Sequence, residues 1–164
     1  MKAQIWSMDF GASLLIFISA MVILLFAWSY VMQQNQQQIL LNSMESTAMG
    51  ISDSLVRQPG IPNEWNETTV ETIGLAVREN VLNETKVGYF VNMDSETIKT
   101  ILGISGYNFY FEIRYSNGTL AEVPGGSKAV TGNYPPQSAS FSVPSERYVI
   151  YDEKPARLKF ILWV

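Results

Sequence analysis

Acidic side chains are the groups in this chain most able to do chemistry, because the sequence contains no histidine and no cysteine. Those absences exclude Cys/His zinc sites, cysteine nucleophiles and Ser-His-Asp triads. Glu112, Glu122, Glu146 and Asp152 lie on or beside predicted strands, and two carboxylates about 5–10 Å apart in a cleft could hydrolyse a glycoside. Because no spacing singles out two of the four, we expect solvated surface carboxylates. We predict no catalytic residue, no metal site and no cofactor.

Aromatic residues form a second group with binding chemistry. Trp65, Tyr107, Tyr110, Tyr115 and Trp163 could stack on carbohydrate, although packing in the core or in a hairpin is the favoured interpretation. Gly-rich phosphate-binding loops and the nucleophile-elbow motif are absent from the sequence. The net charge is -4, whereas nucleic-acid-binding proteins carry basic surfaces, so we expect no nucleic-acid partner.

Three N-x-[ST] sequons supply candidate N-glycosylation acceptors at Asn66, Asn83 and Asn117. All three lie outside the apolar part of the chain, in predicted loops or at the ends of predicted elements. Asn117 has an alternative role, because the Asn117-Gly118 pair is also a strong signal for a tight hairpin turn.

The elements that carry these residues divide the chain in two. No charged residue occurs between Asp9 and Glu45, and residues 10–32 are almost continuously apolar. About 20 apolar residues cross a bilayer core of about 30 Å. Lys2 is the only basic residue before this run, so the positive-inside rule predicts a cytoplasmic N-terminus and an exported remainder. A cleaved secretory signal is the alternative, but its apolar region is typically about 7–15 residues long.

The apolar segment is predicted to continue into an amphipathic helix that ends near residue 58. Pro59-Gly60 provides the stop signal. Before that stop, apolar residues recur near the helical period at Ile39, Leu40, Met44, Ala48, Ile51 and Leu55.

Residues 59–164 are predicted to form an antiparallel β-rich head with short helices, which makes the fold class α+β. The helices are expected at 67–77 and 94–102. The strands are expected at 107–115, 119–123, 139–143, 147–151 and 156–164, the last two as a terminal hairpin. The final strand is apolar on both faces, which predicts a central position or cover by a partner.

Asp9 lies at the threshold of the apolar run, where a charge is costly. One interpretation is a helix N-cap or a carboxylate held in the headgroup layer. The other is a buried partner for the amine of a neighbouring subunit. The residue types alone do not decide between them.

The residues before the apolar run resemble a known signal region. Gln4, Ile5, Ser7, Met8 and Asp9 match the Q-[IV]-S-[LM]-[DE] pattern of euryarchaeal pilins, with one additional residue, Trp6. The chain is therefore similar to archaeal type IV pilin-like proteins with a class III signal region. In that family a prepilin peptidase removes a short leader, and the apolar helix becomes the filament core. A Gly-rich signal region typical of archaellins is absent, which favours a pilus subunit.

The resemblance implies a leader at residues 1–3 cut between Ala3 and Gln4, a transmembrane or filament-core helix at 4–58 and an extracellular head at 59–164. It implies a major or minor pilin, with adhesion as a role of the head. The implied partners are further copies or other pilin-like subunits, the prepilin peptidase, the pilus assembly platform and, before assembly, the cytoplasmic membrane. Subunit contacts are expected at Asp9, Phe10, Leu14, Phe17, Met21, Leu24 and Phe26. The alternative function is a monomeric, membrane-anchored extracellular ligand-binding domain.

Overall fold

The computed structural model describes the backbone of residues 2–164 and the side chains of residues 8–32 and 35–164, and it confirms the predicted α+β class. In this part of the chain the helices are α1 (Lys2–Arg57), α2 (Glu84–Asn92) and α3 (Ser95–Ile101). The strands are β1 (Ala76–Arg78), β2 (Val81–Leu82), β3 (Asn108–Tyr115), β4 (Val130–Gly132), β5 (Ser142–Tyr151) and β6 (Lys154–Trp163). Met1 of the predicted leader and the side chains of the cleavage pair, Ala3 and Gln4, lie outside the described part.

The chain divides into two compact units, Met1–Asn42 and Ser43–Val164. The first unit holds the N-terminal part of α1, which is apolar and free of proline. Its large apolar side chains at residues 8–32 are 44–81% exposed. By length and composition, one helix of the described residues could cross a membrane, and it is this one.

The second unit begins inside α1, because the last turns of that helix supply part of its core. Met44, Ala48 and Leu55 are fully buried, and their spacing of four and seven residues places them on one helix face. Ser52 and Ser145 share a hydrogen bond of 2.7 Å between their hydroxyls. The predicted amphipathic continuation is therefore confirmed from Met44 to Leu55, where its apolar face packs within the head, whereas Ile39 of the predicted face is exposed.

A six-stranded sheet in the described head has the order β1-β2-β5-β6-β3-β4. Strand β6 pairs antiparallel with β5 on one side and with β3 on the other, while β2 pairs in parallel with β5. Leu158, Phe160 and Leu162 are fully buried on one face of β6. The prediction that the terminal strand is central is confirmed. The β5–β6 turn uses Asp152 and Glu153 with positive φ of 50° and 57°.

The predicted helix over 67–77 is wrong. The Asn66 side chain caps only one turn, accepting hydrogen bonds from the N–H groups of Thr68 and Thr69 at 3.0 and 3.1 Å. The chain then crosses back to pair Thr72 with Ile61. Gly74 is packed against the backbone of Gln58 and Gly60, with no space for a side chain. Tertiary contact at this point overrides the local helical pattern.

Three further elements differ from the predictions. The expected strand over 119–123 does not form, and Leu120 makes only an isolated bridge to β3. The strands that pair with β3 are β4 and β6. Residues 142–143 of the first predicted segment and all of 147–151 belong to one strand, β5, which starts at Ser142 and contains Pro144, while residues 139–141 precede it. Helix α2 was not predicted, whereas α3 begins after its predicted cap, Asp94.

The loop that follows α1 is held by two side chains that share one acceptor, the carbonyl oxygen of Pro59. Trp65 Nε1 donates to Pro59 O at 3.0 Å and to Gly74 O at 2.9 Å. Lys86 Nζ, from buried α2, donates to the same Pro59 O at 2.7 Å. Burial lowers the pKa of Lys86, and the nearby Glu64 carboxylate opposes that shift. These bonds hold the loop that leaves α1 against the head.

Candidate functional site

The residues predicted for subunit assembly form an apolar surface on α1. Around them, Leu15, Ile16 and Ile23 cover other sides of the same helix, so the segment is apolar all round. A helix of this kind is buried in a membrane or among other helices. The assembly residues are 46–73% exposed in the single chain: Phe10, Leu14, Phe17, Met21, Leu24 and Phe26.

Asp9 lies inside α1 rather than at its start, and it is exposed. The interpretation of Asp9 as the N-cap of this helix is therefore wrong, because a cap precedes the first helical turn. A carboxylate here has no local backbone N–H to bond, since those groups already bond within the helix. The interpretations that stay open are a carboxylate held in the headgroup layer and a partner for a subunit's amine.

The carboxylate Glu112 belongs to a hydrogen-bonded cluster on β3. Tyr110 donates its hydroxyl to Glu112 Oε2 at 2.9 Å, and Arg114 donates through Nε and Nη2 at 2.9 and 2.8 Å. Burial raises the pKa of Glu112, but the hydrogen bonds from Arg114 and Tyr110 outweigh burial and hold that pKa below 4.5. Burial and the bond to Glu112 raise the pKa of Tyr110 to about 12. Glu112 is thus an ionised structural group.

Two other predicted carboxylates, Glu122 and Asp152, line one open recess of about 550 Å³. Each pairs with a lysine: Glu122 with Lys128 and Asp152 with Lys154. The hydrogen bond from each lysine holds the pKa of its carboxylate below the ordinary value. Glycoside hydrolysis needs an acid with a raised pKa. This pair therefore lacks the property that a general acid requires.

Glu146, on β5, completes the predicted set of carboxylates. It pairs with Arg157 at 3.2 Å and with Lys159 at 3.8 Å, both on the neighbouring strand β6. All four carboxylates are thus balanced by basic side chains. Among the described residues, no group of three or more Asp or Glu side chains could hold a metal ion.

Most of the aromatic residues considered for carbohydrate stacking are buried or make hydrogen bonds within the chain. Trp65 is buried, Tyr110 bonds Glu112, and Trp163 Nε1 donates to Asn133 O at 2.8 Å. The sequence interpretation missed Tyr148, a residue of β5 that is 84% exposed. Its neighbours Arg147 and Val149 point towards the core face, so the period-2 pattern of the strand could have placed Tyr148 outside.

The sequons adopt two different conformations. At Asn66 and Asn117 the side-chain Oδ1 accepts a hydrogen bond from the hydroxyl of the sequon threonine, at 2.8 and 2.7 Å. Both asparagines are exposed and lie in turns. Asn83 is instead the half-buried N-cap of α2 and accepts from Lys86 N at 3.2 Å. The structure thus separates Asn83 from the other two acceptors.

Comparisons of the chain with protein-family models, with curated proteins and with solved structures gave no significant match. The resemblance to pilin-like proteins therefore stays a prediction from the residues of the signal region. The described geometry offers an exposed apolar helix and a hydrogen-bonded head as the features on which a function can be built.

Proposed function

We propose that this chain is a structural subunit, a major or minor pilin, of an archaeal type IV pilus-like surface filament. The observation that carries the proposal is the make-up of α1. Residues 10–32 are apolar on every side and exposed, whereas Met44, Ala48 and Leu55 of the same helix are core residues of the head. Exposed apolar surface of this extent is unfavourable in water. It would be buried first in the membrane and then among the helices of neighbouring subunits.

The connection between these two parts supports a filament subunit over a simple anchored domain. Residues 33–43 are helical and contain neither glycine nor proline. Linkers between domains are commonly flexible and rich in Gly, Pro or polar residues, but the polar run at residues 33–38 is helical here. A helical connection suits a subunit whose helix and head each occupy a defined place in an array.

Processing and Asp9 belong to the same proposal. A cut after Ala3 leaves Gln4 with a cationic amine at the start of an apolar helix. An unpaired charge in such a core is costly, and Asp9 is the only acidic residue before Glu45. The amine would pair with Asp9 of the same or of a neighbouring chain. The proposal further places the head outside the cell, where adhesion and glycan attachment are its expected roles.

Asp9→Asn tests this proposal, because it keeps the shape of the side chain and removes its charge. We expect a folded head, normal membrane insertion and at least a tenfold loss of sheared filament mass, since one unpaired charge is worth more than about 1.4 kcal/mol. Glu45→Gln is the matched control on the same helix and should leave filament yield unchanged.

Three results would contradict the proposal. Full filament yield from Asp9→Asn would reject the charge pairing. A mature protein that begins at Met1 would reject the cleavage. A wild-type chain found only as a monomer in the membrane fraction would favour the anchored ligand-binding domain.

A further inference from the structure

Asn117 and the surface beside it lie outside the set of residues proposed above for subunit assembly. Asn117 lies in the turn after β3, and residues on both sides of it, Tyr115, Ser116 and Gly118, line a recess of about 320 Å³. Tyr148 of β5 and Pro155 and Arg157 of β6 also line it. The volume lies at the lower end of the range for small-molecule sites.

We infer that Asn117 carries an N-linked glycan whose first sugar packs into this recess against Tyr148, that Asn66 is also modified, and that Asn83 is not. This inference rests on the part of the proposed function that places residues 59–164 outside the membrane. It selects among the sequons by conformation and assigns an occupant to the recess, which the sequence alone could not do.

The geometry of the Asn117 side chain suits modification. Its Oδ1 accepts hydrogen bonds from Thr119 N at 3.0 Å and from Thr119 Oγ1 at 2.7 Å. Glycosylation occurs at Nδ2 and leaves the amide oxygen in place, so the turn and the glycan are compatible. The dual role of Asn117 as a turn residue is therefore no obstacle. Asn66 has the same bonds, from Thr68 N at 3.0 Å and from Thr68 Oγ1 at 2.8 Å.

Asn83 differs because its sequon is part of a helix. Thr85 lies in the first turn of α2, and Asn83 caps that helix. N-glycosylation acceptors lie in surface loops. Reshaping this sequon would disturb the helix that carries Lys86 and Phe90, both of which are buried. The helix therefore protects Asn83 from modification in the folded head.

The chemistry requires a transferase and a lipid-linked, phosphate-activated oligosaccharide as the glycosyl donor. The bond between the anomeric carbon and the phosphate oxygen breaks, and a bond from that carbon to Asn117 Nδ2 forms. The Nδ2 proton passes to a base of the transferase, and the lipid phosphate is the leaving group. No oxidation or reduction takes place, so the step balances.

The recess has the composition that a sugar ring needs. Tyr148 is 84% exposed, and an aromatic face packs against the C–H face of a pyranose. Arg157 uses Nη1 to bond Glu146 at 3.2 Å, and a guanidinium has five N–H donors. The remaining donors can bond sugar hydroxyls. Ser116 Oγ donates to Pro155 O at 3.1 Å and keeps its acceptor lone pairs for the same purpose.

Site-specific glycopeptide mass spectrometry of the native full-length protein tests the choice of acceptor. We expect glycan on Asn117 and on Asn66 and an unmodified Asn83. Thr119→Val should abolish modification of Asn117, and Thr119→Ser, which keeps the sequon, should retain it. An unmodified Asn117 in the native protein, or a glycan on Asn83, would overturn the inference.

A thermal double-mutant cycle tests the recess. Tyr148→Ala should leave Asn117 occupancy unchanged and lower the Tm of the glycosylated protein by about 2–6 °C, the shift for a contact of about 1 kcal/mol. In the Thr119→Val background, which lacks the glycan, Tyr148→Ala should have at most a third of that effect. Equal Tm losses in both backgrounds would overturn the packing of the sugar on Tyr148.

These measurements test the glycan inference independently of the filament proposal. Glycopeptides are recovered from the membrane fraction whether or not filaments form. A modified Asn117 in cells without filaments would support this inference while rejecting the filament proposal. Filaments built from a chain with a bare Asn117 would do the reverse.

Discussion

At the scale of single residues, Glu112 shows how a strand keeps a charge in a buried position. Its side chain is 7% exposed, and two residues on the same face of β3, Tyr110 and Arg114, satisfy its oxygens. The period-2 geometry of a strand brings residues i−2 and i+2 onto one face. The sequence placed Glu112 on a strand correctly, but this cluster depends on side-chain geometry that the pattern does not specify.

We predict that Glu112→Gln destabilises the head by about 1–3 kcal/mol at neutral pH, because it leaves a charged hydrogen bond of Arg114 poorly satisfied. The folded pKa of Glu112 is lowered, so its stabilisation is present above the unfolded pKa near 4.5 and is lost as pH falls through the folded pKa. Urea melts at pH 7 and pH 3 should therefore show a smaller difference between wild type and variant at the lower pH. Glu122→Gln, at an exposed pair, is the control and should have little effect. An equal difference in stability between wild type and Glu112→Gln at both pH values would contradict a stabilising role for the Glu112 charge.

At the scale of elements, local signals predicted those parts of the fold in which sequence and surroundings agree. The apolar run specified α1, Asp94 and Gly103 marked the limits of α3, and the alternation in 147–164 indicated the β5–β6 hairpin. The prediction was wrong at 67–77 because Gly74 must fit against Gln58 and Gly60, a contact distant in sequence from the helical pattern. Helix α2 was missed because its N-cap, Asn83, was interpreted only as a glycan acceptor.

Buried side chains of the central strand β6 should contribute more to the stability of the head than exposed side chains of the neighbouring strand β5. Phe160 is fully buried and stacks against Phe109 at a ring-centroid distance of 5.9 Å. Phe160→Ala should cost about 3–5 kcal/mol in free energy of unfolding, from lost burial and a residual cavity. Tyr148→Ala, in protein without a glycan, removes an exposed ring and should cost less than about 0.5 kcal/mol. Similar denaturation midpoints for the two variants would contradict the central position of β6 in the core.

At the scale of the whole molecule, the chain combines an exposed apolar helix with a head whose polar groups are well satisfied. In the described residues, no buried side-chain nitrogen or oxygen lacks a hydrogen-bond partner. The head therefore satisfies its own buried polar groups, whereas the first unit leaves a large apolar surface exposed in the single chain. Charge and hydropathy change sharply along the chain, so the sequence alone predicted an apolar N-terminal helix ahead of an ordinary globular head, with the head starting at residue 59, whereas the second compact unit starts at Ser43. The sequence could not specify the partner, since an all-round apolar helix fits a bilayer and a helical bundle equally well.

Immunogold electron microscopy of filaments sheared from native cells tests the central claim most directly. Antibody raised against the head, residues 59–164, should label surface filaments, along their length for a major pilin or at discrete points for a minor one. Peptide mass spectrometry of the same sheared fraction should recover this chain. Cells in which the head is detected only in the membrane, with every filament unlabelled, would contradict the account.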